Sequence, residues 1–317
     1  LKPFWLQLEP WLEALRRSGR GGGGRRPGCP ARGPPARGMG NCTCPHDSGH
    51  LVERSAAVND VTTALKVQDE PCFSSVRQQR APYRLENGAE YAGEWLGAAQ
   101  DGYGIQVWPD GARYEGEWVA GKAEGKGKFY HADGDIYDGE WKADKAHGRG
   151  VHYHADGSSY DGRWLEDKQH GIGTEQWPDG AKYVGQYRRS CKHGTGKFTW
   201  ADGSLYEGEF LDNHIHGEGV YTWGDGRKFE GQWAHNRMHG KGLFSWSDGR
   251  SYEGEYYNDQ KEGVGVFKWP DGRQYEGQWK DGKQHGSGTY STARGEKRDG
   301  EWEEGRRTRW IGKDQDQ

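Results

Sequence analysis

An aromatic ring recurs every 23 residues, at Tyr91, Tyr114, Tyr137, Tyr160, Tyr183, Tyr206, Phe229, Tyr252 and Tyr275, marking nine units over positions 91–297. A period of this length means stacked supersecondary units, none of which can bury its apolar face alone. Two residues after each ring stands a glycine, from Gly93 to Gly277. Two further on comes a second ring, at Trp95, Trp118, Trp141, Trp164, Tyr187, Phe210, Trp233, Tyr256 and Trp279. That alternation predicts a strand with rings and glycine on one face and polar residues such as Glu115 and Glu117 on the other.

Seven residues beyond the second ring every unit carries Gly-x-Gly, from Gly102/Gly104 to Gly286/Gly288. Further rings follow in step, such as Phe198/Trp200, Tyr221/Trp223, Phe244/Trp246 and Phe267/Trp269. This predicts a second strand. Asp-Gly pairs between units, such as Asp110-Gly111, Asp179-Gly180 and Asp271-Gly272, supply tight-turn chemistry because glycine accepts positive φ. Each unit is therefore expected to be a β-hairpin. Glycine weakens a strand by about 0.5–1 kcal/mol relative to alanine, so its recurrence at unit positions 3, 12 and 14 needs a reason. All three are expected on the ring face, where a missing Cβ leaves a slot for a cross-strand ring. Partial units at Tyr83–Gly88 and Gly300–Trp302 are expected to cap the array.

The runs Tyr114-Glu-Gly-Glu-Trp118 and His239-Gly-Lys-Gly242, repeated at this interval over some two-thirds of the chain, resemble MORN repeats. Departures are Tyr187, Phe210 and Tyr256 at the second ring, His131 and His154 where the last Trp stands, and Arg298 where a tenth Tyr would stand. The resemblance implies an all-β fold, an elongated, twisted array of stacked β-hairpins. Such arrays occur in junctophilins, radial-spoke head proteins, alsin, plant phosphatidylinositol-phosphate kinases, a SET-domain lysine methyltransferase and cytoskeletal scaffolds of protists. These proteins share no single reaction.

Composition agrees with an array rather than a compact enzyme. Apolar residues are 32% and mean hydropathy is −1.16, too polar for a large core. The 13% aromatic content argues equally against disorder. Formal net charge is −4, and eight Lys/Arg against two Asp/Glu in the first 38 residues leave −10 on the rest. Nucleic acid is not an expected partner of such a body. Five cysteines, Cys29, Cys42, Cys44, Cys72 and Cys191, are an odd number with one in the repeats, which suits a reducing cytosol. No apolar run approaches the ~18 residues of a membrane span.

Residues 1–38 read as a leader that is not normally translated, since every residue from Gly19 to Arg37 is Gly, Arg, Pro, Ala or Cys, whose codons are GC-rich. The rival is a basic linker behind a short amphipathic helix bearing Phe4, Trp5, Leu8, Trp11, Leu12 and Leu15. With Met39 as the start, Gly40 becomes the N-terminal glycine that myristoylation requires, with Cys44 where Ser or Thr is usual. One myristoyl chain binds membrane only marginally, so thioacylation of Cys42 or Cys44 would be the second signal. The alternatives are an unmodified tail and a zinc site of Cys42, Cys44, His46 and His50, whose spacing matches no common zinc finger. Residues 39–80 are thus expected to be a mostly flexible tail with a lipid anchor and one short helix between Leu51 and Gln68. The array follows over 81–302, and 303–317 form a C-terminal tail.

Six His recur at one unit position, His147, His170, His193, His216, His239 and His285. Two strands per unit at ~4.8 Å put equivalent residues ~10 Å apart, too far to share one ion whose Zn–N bonds are ~2.0–2.1 Å. The Asp row of the turns, Asp110 to Asp271, fails as a calcium ladder by the same spacing. Turn propensity accounts for it. Signatures of phosphate loops, zinc hydrolases and serine hydrolases do not occur. No catalytic, cofactor-binding or metal residue is therefore expected. Lys122, Lys145, Lys168, Arg188, Arg189, Lys192, Arg237, Lys261, Lys280 and Lys283 form a basic edge that is either a solvated loop row or a contact for lipid headgroups.

The function expected is a non-catalytic scaffold or adaptor linking the cytosolic face of a membrane to protein partners or cytoskeleton, with homodimerisation left open. Gly40, Cys42 and Cys44 are the lipidation candidates, and Trp118, Trp141, Trp164, Trp200, Trp223, Trp246 and Trp269 the candidate binding surface. The alternatives are a targeting region related to phosphatidylinositol-phosphate kinases and an axonemal protein without an anchor, placed in a cilium or the cytoskeleton.

Overall fold

A computed structural model describes residues 76–311, in which every regular element is a strand, 22 in all. These residues divide into two compact bodies, 76–148 and 149–311. Within each body antiparallel strands pair with their neighbours in sequence. In one unit, Leu205–Leu211 pairs with His214–Thr222, which pairs in turn with Lys228–Ala234 of the next unit. The described pairing begins at Gln78–Gln79 and Tyr83–Arg84, which lie against Glu90–Leu96. At the other end Lys297–Glu303 pairs with Arg306–Ile311.

Register explains the strand glycines. Tyr206 stands opposite Tyr221 and Gly208 opposite Gly219, so the glycine pair leaves a floor on which the Tyr206 ring lies. A Cβ on Gly219 would run into that ring, and one on Gly208 would come within 2.5 Å of Gly219 Cα and 2.6 Å of Glu218 O. The Tyr206 hydroxyl donates to Glu209 C=O at 3.0 Å. The same bond, three residues on, recurs for Tyr91, Tyr114, Tyr137, Tyr160, Tyr183, Tyr252 and Tyr275. The first glycine of Gly-x-Gly departs from expectation. Gly217 has φ +63°, and its Cβ would meet the Glu209 carboxylate rather than a ring. It sits where the register shifts by a β-bulge, between Gly208 and Glu209. Only the glycines at positions 3 and 14 are slots.

The core is a single layer of rings on one face of each sheet. Phe210 stands edge-on to Tyr206 of its own unit (5.2 Å) and to Tyr183 of the unit before (5.1 Å). Trp233 does the same to Phe229 and Tyr206, and Tyr256 to Tyr252 and Phe229. Edge-to-face pairs contribute about 0.5–1.5 kcal/mol each beyond area burial. Burial, followed by nearby carboxylates, raises the Tyr91 hydroxyl to about 12, and burial raises Tyr275 to about 12. Tyr114, Tyr160, Tyr183, Tyr206 and Tyr252 are pushed higher for the same first reason. The neutral phenol is thus favoured in the folded state against an unfolded value of about 10. This stabilisation is complete below pH 10 and is lost as pH rises through the folded values. The urea midpoint is expected to hold between pH 7 and 9 and to fall steeply from pH 10 to 12.

Two kinds of turn alternate. Between strands of one unit, two residues both carry positive φ, as at Asp212-Asn213 (48°, 70°), His235-Asn236 (50°, 66°) and Asn258-Asp259 (48°, 70°), the requirement of a type I′ hairpin. The Asp-Gly sites between units are longer loops, in which Trp223 N–H donates to Arg227 O and Gly226 N–H to Trp223 O. Where it is Asn or Asp, the second residue of a tight turn can also clamp the preceding unit. Asn213 and Asn236 accept the backbone N–H of Lys192 (2.8 Å) and Ile215 (2.7 Å), and Asp259 accepts that of Met238 (2.8 Å).

Burial raises the Asp259 carboxyl to about 6, against the lowering effect of the Met238 N–H and Arg237. Because the folded value lies above the unfolded one, ionisation penalises the folded state as pH climbs from about 4 to 6. Asparagine keeps the acceptor and the left-handed backbone without the charge. Asp259→Asn is therefore expected to stabilise at pH 7 by on the order of 1–2 kcal/mol, since a tenfold change in proton affinity is about 1.4 kcal/mol and part of the group stays solvated. The gain should vanish below pH 4 in denaturant melts. An equal gain at both pH values would assign it to packing.

Candidate functional site

Of the two polar rows singled out by the sequence, the Asp row is hydrogen-bonded within its turns and the His row packs against neighbouring turns. Each turn Asp from Asp110 to Asp271 accepts, through its side chain, the N–H two residues on, as in Asp156 to Ser158 (2.8 Å) and Asp202 to Ser204 (2.9 Å). The His row faces the turn of the following unit. Asp101, Glu124 and Glu262 occupy that position in other units, and their carboxylates accept the N–H of Ala120, Ala143 and Asp281. The Nδ1 atoms of His170, His193, His216, His239 and His285 are buried there without a hydrogen bond, and His193 Nδ1 lies 3.4 Å from Asp212.

The predicted Trp surface separates into two places. Trp118, Trp141 and Trp164 are 3–4% exposed and donate Nε1–H to Gly104, Gly127 and Gly150 C=O. They are core rings. Trp200, Trp246 and Trp269 are half-buried and Trp223 is buried with one face in the same row. The four belong to a ladder with Phe198, Tyr221, Phe244 and Phe267, whose successive centroids lie 4.4–5.7 Å apart. Arg227, Arg250 and Arg273 stack over Trp223, Trp246 and Trp269 at 5.3–5.4 Å. Each holds an Asp through Nε at 2.7 Å: Asp225, Asp248 and Asp271. The result is a strip of indole plates topped by oriented guanidinium groups. Trp and Arg are the residues that most often carry binding energy at protein interfaces.

Two lysines assigned by sequence to the basic edge lie among rings instead. Lys192 Nζ is 5.0–5.9 Å from the ring centres of Trp177, Tyr183, Tyr187 and Phe198. Its charge is met by Glu175 at 2.6 Å, and the same carboxylate oxygen accepts Tyr187 O–H at 2.9 Å. Lys261 Nζ is 4.8–5.1 Å from Trp246, Tyr252, Phe267 and Trp279. Burial, and next the Arg250 charge, lower its amine to about 7. In the sequence these two stand one unit position beyond Lys122, Lys145, Lys168 and Lys283, and that offset is the signal that separates them. Gly40, Cys42, Cys44 and the short helix expected between Leu51 and Gln68 lie outside the described residues.

The MORN repeat profile matches nine consecutive segments: 91–113, 114–136, 137–159, 160–182, 183–205, 206–226, 229–249, 252–272 and 275–297. No curated protein matches the chain. Among solved structures, the TCP10 domain of Danio rerio CPAP, in complex with a peptide of STIL, is 16% identical. That match covers 70% of this chain and 97% of that one at a TM-score of 0.34. The SAS-4 TCP domain of Drosophila melanogaster, in complex with a proline-rich motif of Ana2, is 12% identical and covers 64% and 95% at 0.30. Likeness at this level carries no functional argument.

Proposed function

The chain belongs to the MORN-repeat family, and from that premise we propose that it is a non-catalytic scaffold. It holds protein partners on the Trp–Arg strip and is tied to the cytosolic face of a membrane through acyl groups on Gly40 and on Cys42 or Cys44. The observation that carries the reading is the strip itself. Indole faces recur once per unit and the fold has already oriented each guanidinium with an Asp, so a partner meets them at little further ordering cost. The Asp row, by contrast, is occupied in holding its own turns, and the His row repeats along the array rather than converging in a cleft.

The test has two arms. The triple variant Trp200→Ala, Trp246→Ala, Trp269→Ala is compared with the unaltered chain in affinity purification from native cells, with partners identified by mass spectrometry. Specific loss of the same partners supports the strip, and an unchanged partner set removes it. For the anchor, Gly40→Ala and the pair Cys42→Ala, Cys44→Ala should each move the protein from membrane to soluble fractions. Unchanged partition, with a bare Gly40 by intact mass, would leave a scaffold without an anchor.

A further inference from the structure

Lys192 and Lys261 occupy the same unit position three units apart, and the chain contains in this pair its own control. In the first, one carboxylate oxygen of Glu175 joins the ammonium to the Tyr187 hydroxyl. In the second, Phe244 stands where Glu175 stood, and Tyr256 stands where Tyr187 stood. Among the described residues no carboxylate is paired with Lys261. The Tyr256 hydroxyl, on a residue 5% exposed, is buried without a hydrogen-bond partner. Tyr256 and Lys261 are directly opposed across the hairpin. An amine without a paired carboxylate thus stands on the residue directly across the hairpin from one whose hydroxyl lacks an acceptor; rings surround the amine, and Tyr256 packs edge-on to Tyr252 and Phe229.

We propose that Lys261 is a covalent acceptor for apolar aldehydes, forming an imine at its Nζ while Tyr256 donates its hydroxyl proton in a hydrogen bond to the aldehyde oxygen. The ligand's oxygen would take the bridging part that the Glu175 oxygen plays three units earlier, and the rings would receive its apolar group. In the first step the nitrogen lone pair forms the C–N bond as the carbonyl π pair moves to oxygen. A proton leaves nitrogen and one reaches oxygen, giving a carbinolamine. That hydroxyl then departs with nitrogen's remaining proton as water, leaving the neutral imine. No oxidant or reductant enters.

The chemistry requires a free amine lone pair, and a lysine desolvated among apolar groups is the usual way a protein supplies one. The amine's lowered proton affinity agrees with this. The rings do favour an ammonium by cation–π attraction, but three of the four have equivalents around Lys192. The contrast between the two sites therefore falls on the missing carboxylate, the orphaned hydroxyl and a fourth ring, Trp279 in place of Tyr187. As a whole residue Lys261 is half-buried.

The experiment treats the full chain at pH 7 with benzaldehyde and sodium cyanoborohydride, which reduces the imine to a stable benzylamine, and follows each lysine by peptide mass mapping. Lys261 is expected to be benzylated at least tenfold faster than Lys192 and faster than the exposed Lys280. Its rate should level off by pH 8. Tyr256→Phe should slow Lys261 several-fold. Glu175→Gln, which leaves Lys261 untouched, should raise Lys192 toward the Lys261 rate, so the test survives even if the Tyr256 variant misfolds. Equal labelling of Lys192 and Lys261 in the unaltered chain, or no response of Lys192 to Glu175→Gln, would overturn the proposal.

Discussion

Gly208→Val is expected to destabilise the protein by about 3 kcal/mol or more, the upper range for overpacking, because the added atoms meet backbone rather than a yielding side chain. A Cβ there would stand 2.5 Å from Gly219 Cα and from the Tyr206 hydroxyl and 2.6 Å from Glu218 O. To make room, the hairpin must open or Tyr206 must leave the face on which it is fully buried. The paired control is Gly203→Asn. Gly203 has φ +81° with nothing within 4 Å of its missing Cβ, and asparagine tolerates that conformation, so the loss should stay within about 1 kcal/mol. Equal losses for the two variants in denaturant melts would show that the slot is not what requires glycine.

Trp164→Ala should remove a comparable or larger amount, about 3–5 kcal/mol for a fully buried indole. Trp164 is 4% exposed, stands edge-on to Tyr160 at 5.2 Å, and donates to Gly150 C=O at 3.0 Å. Because each unit contacts only its neighbours, the damage should be local. Amide exchange is expected to accelerate across Ser159–Leu165 and Lys168–Gln176 and to remain as before in Gln274–Lys280. Uniform acceleration along the chain would mean that the units unfold as one cooperative block.

The 23-residue interval makes the hairpins, the ring face and the Tyr-over-glycine slot legible in the sequence alone, because each follows from strand alternation within one unit. What escapes such a reading depends on register between strands. The bulge at Gly217 looks in sequence like another slot, since both are glycine two apart. The tight turns at His235-Asn236 and Asn258-Asp259 carry no glycine at all, so positive φ is invisible there. For the candidate site, Trp118 and Trp200 are the same letter at different unit positions. One closes the core and the other edges it, and only the cross-strand contacts tell which. A signal is present for Lys192 and Lys261: their unit position is otherwise filled by residues such as Ala123, Ala146, Ile215 and Met238, the mark of an inward-facing place.

Within each body, the sharing of a second ring between two first rings gives the chain a direction in time. Tyr183 is covered by Phe210 and Tyr206 by Trp233, always from the unit made later. On a ribosome adding ~5–20 residues per second, a finished first strand therefore waits about one to five seconds for its lid. Throughout synthesis the growing end carries one tyrosine short of its second ring, and the exposure moves outward with it rather than accumulating. The last such wait, that of Tyr275, ends only when Trp302 emerges. A polypeptide released at residue 297 would lack the second of the two rings that cover Tyr275, keeping only Trp279 of its own unit.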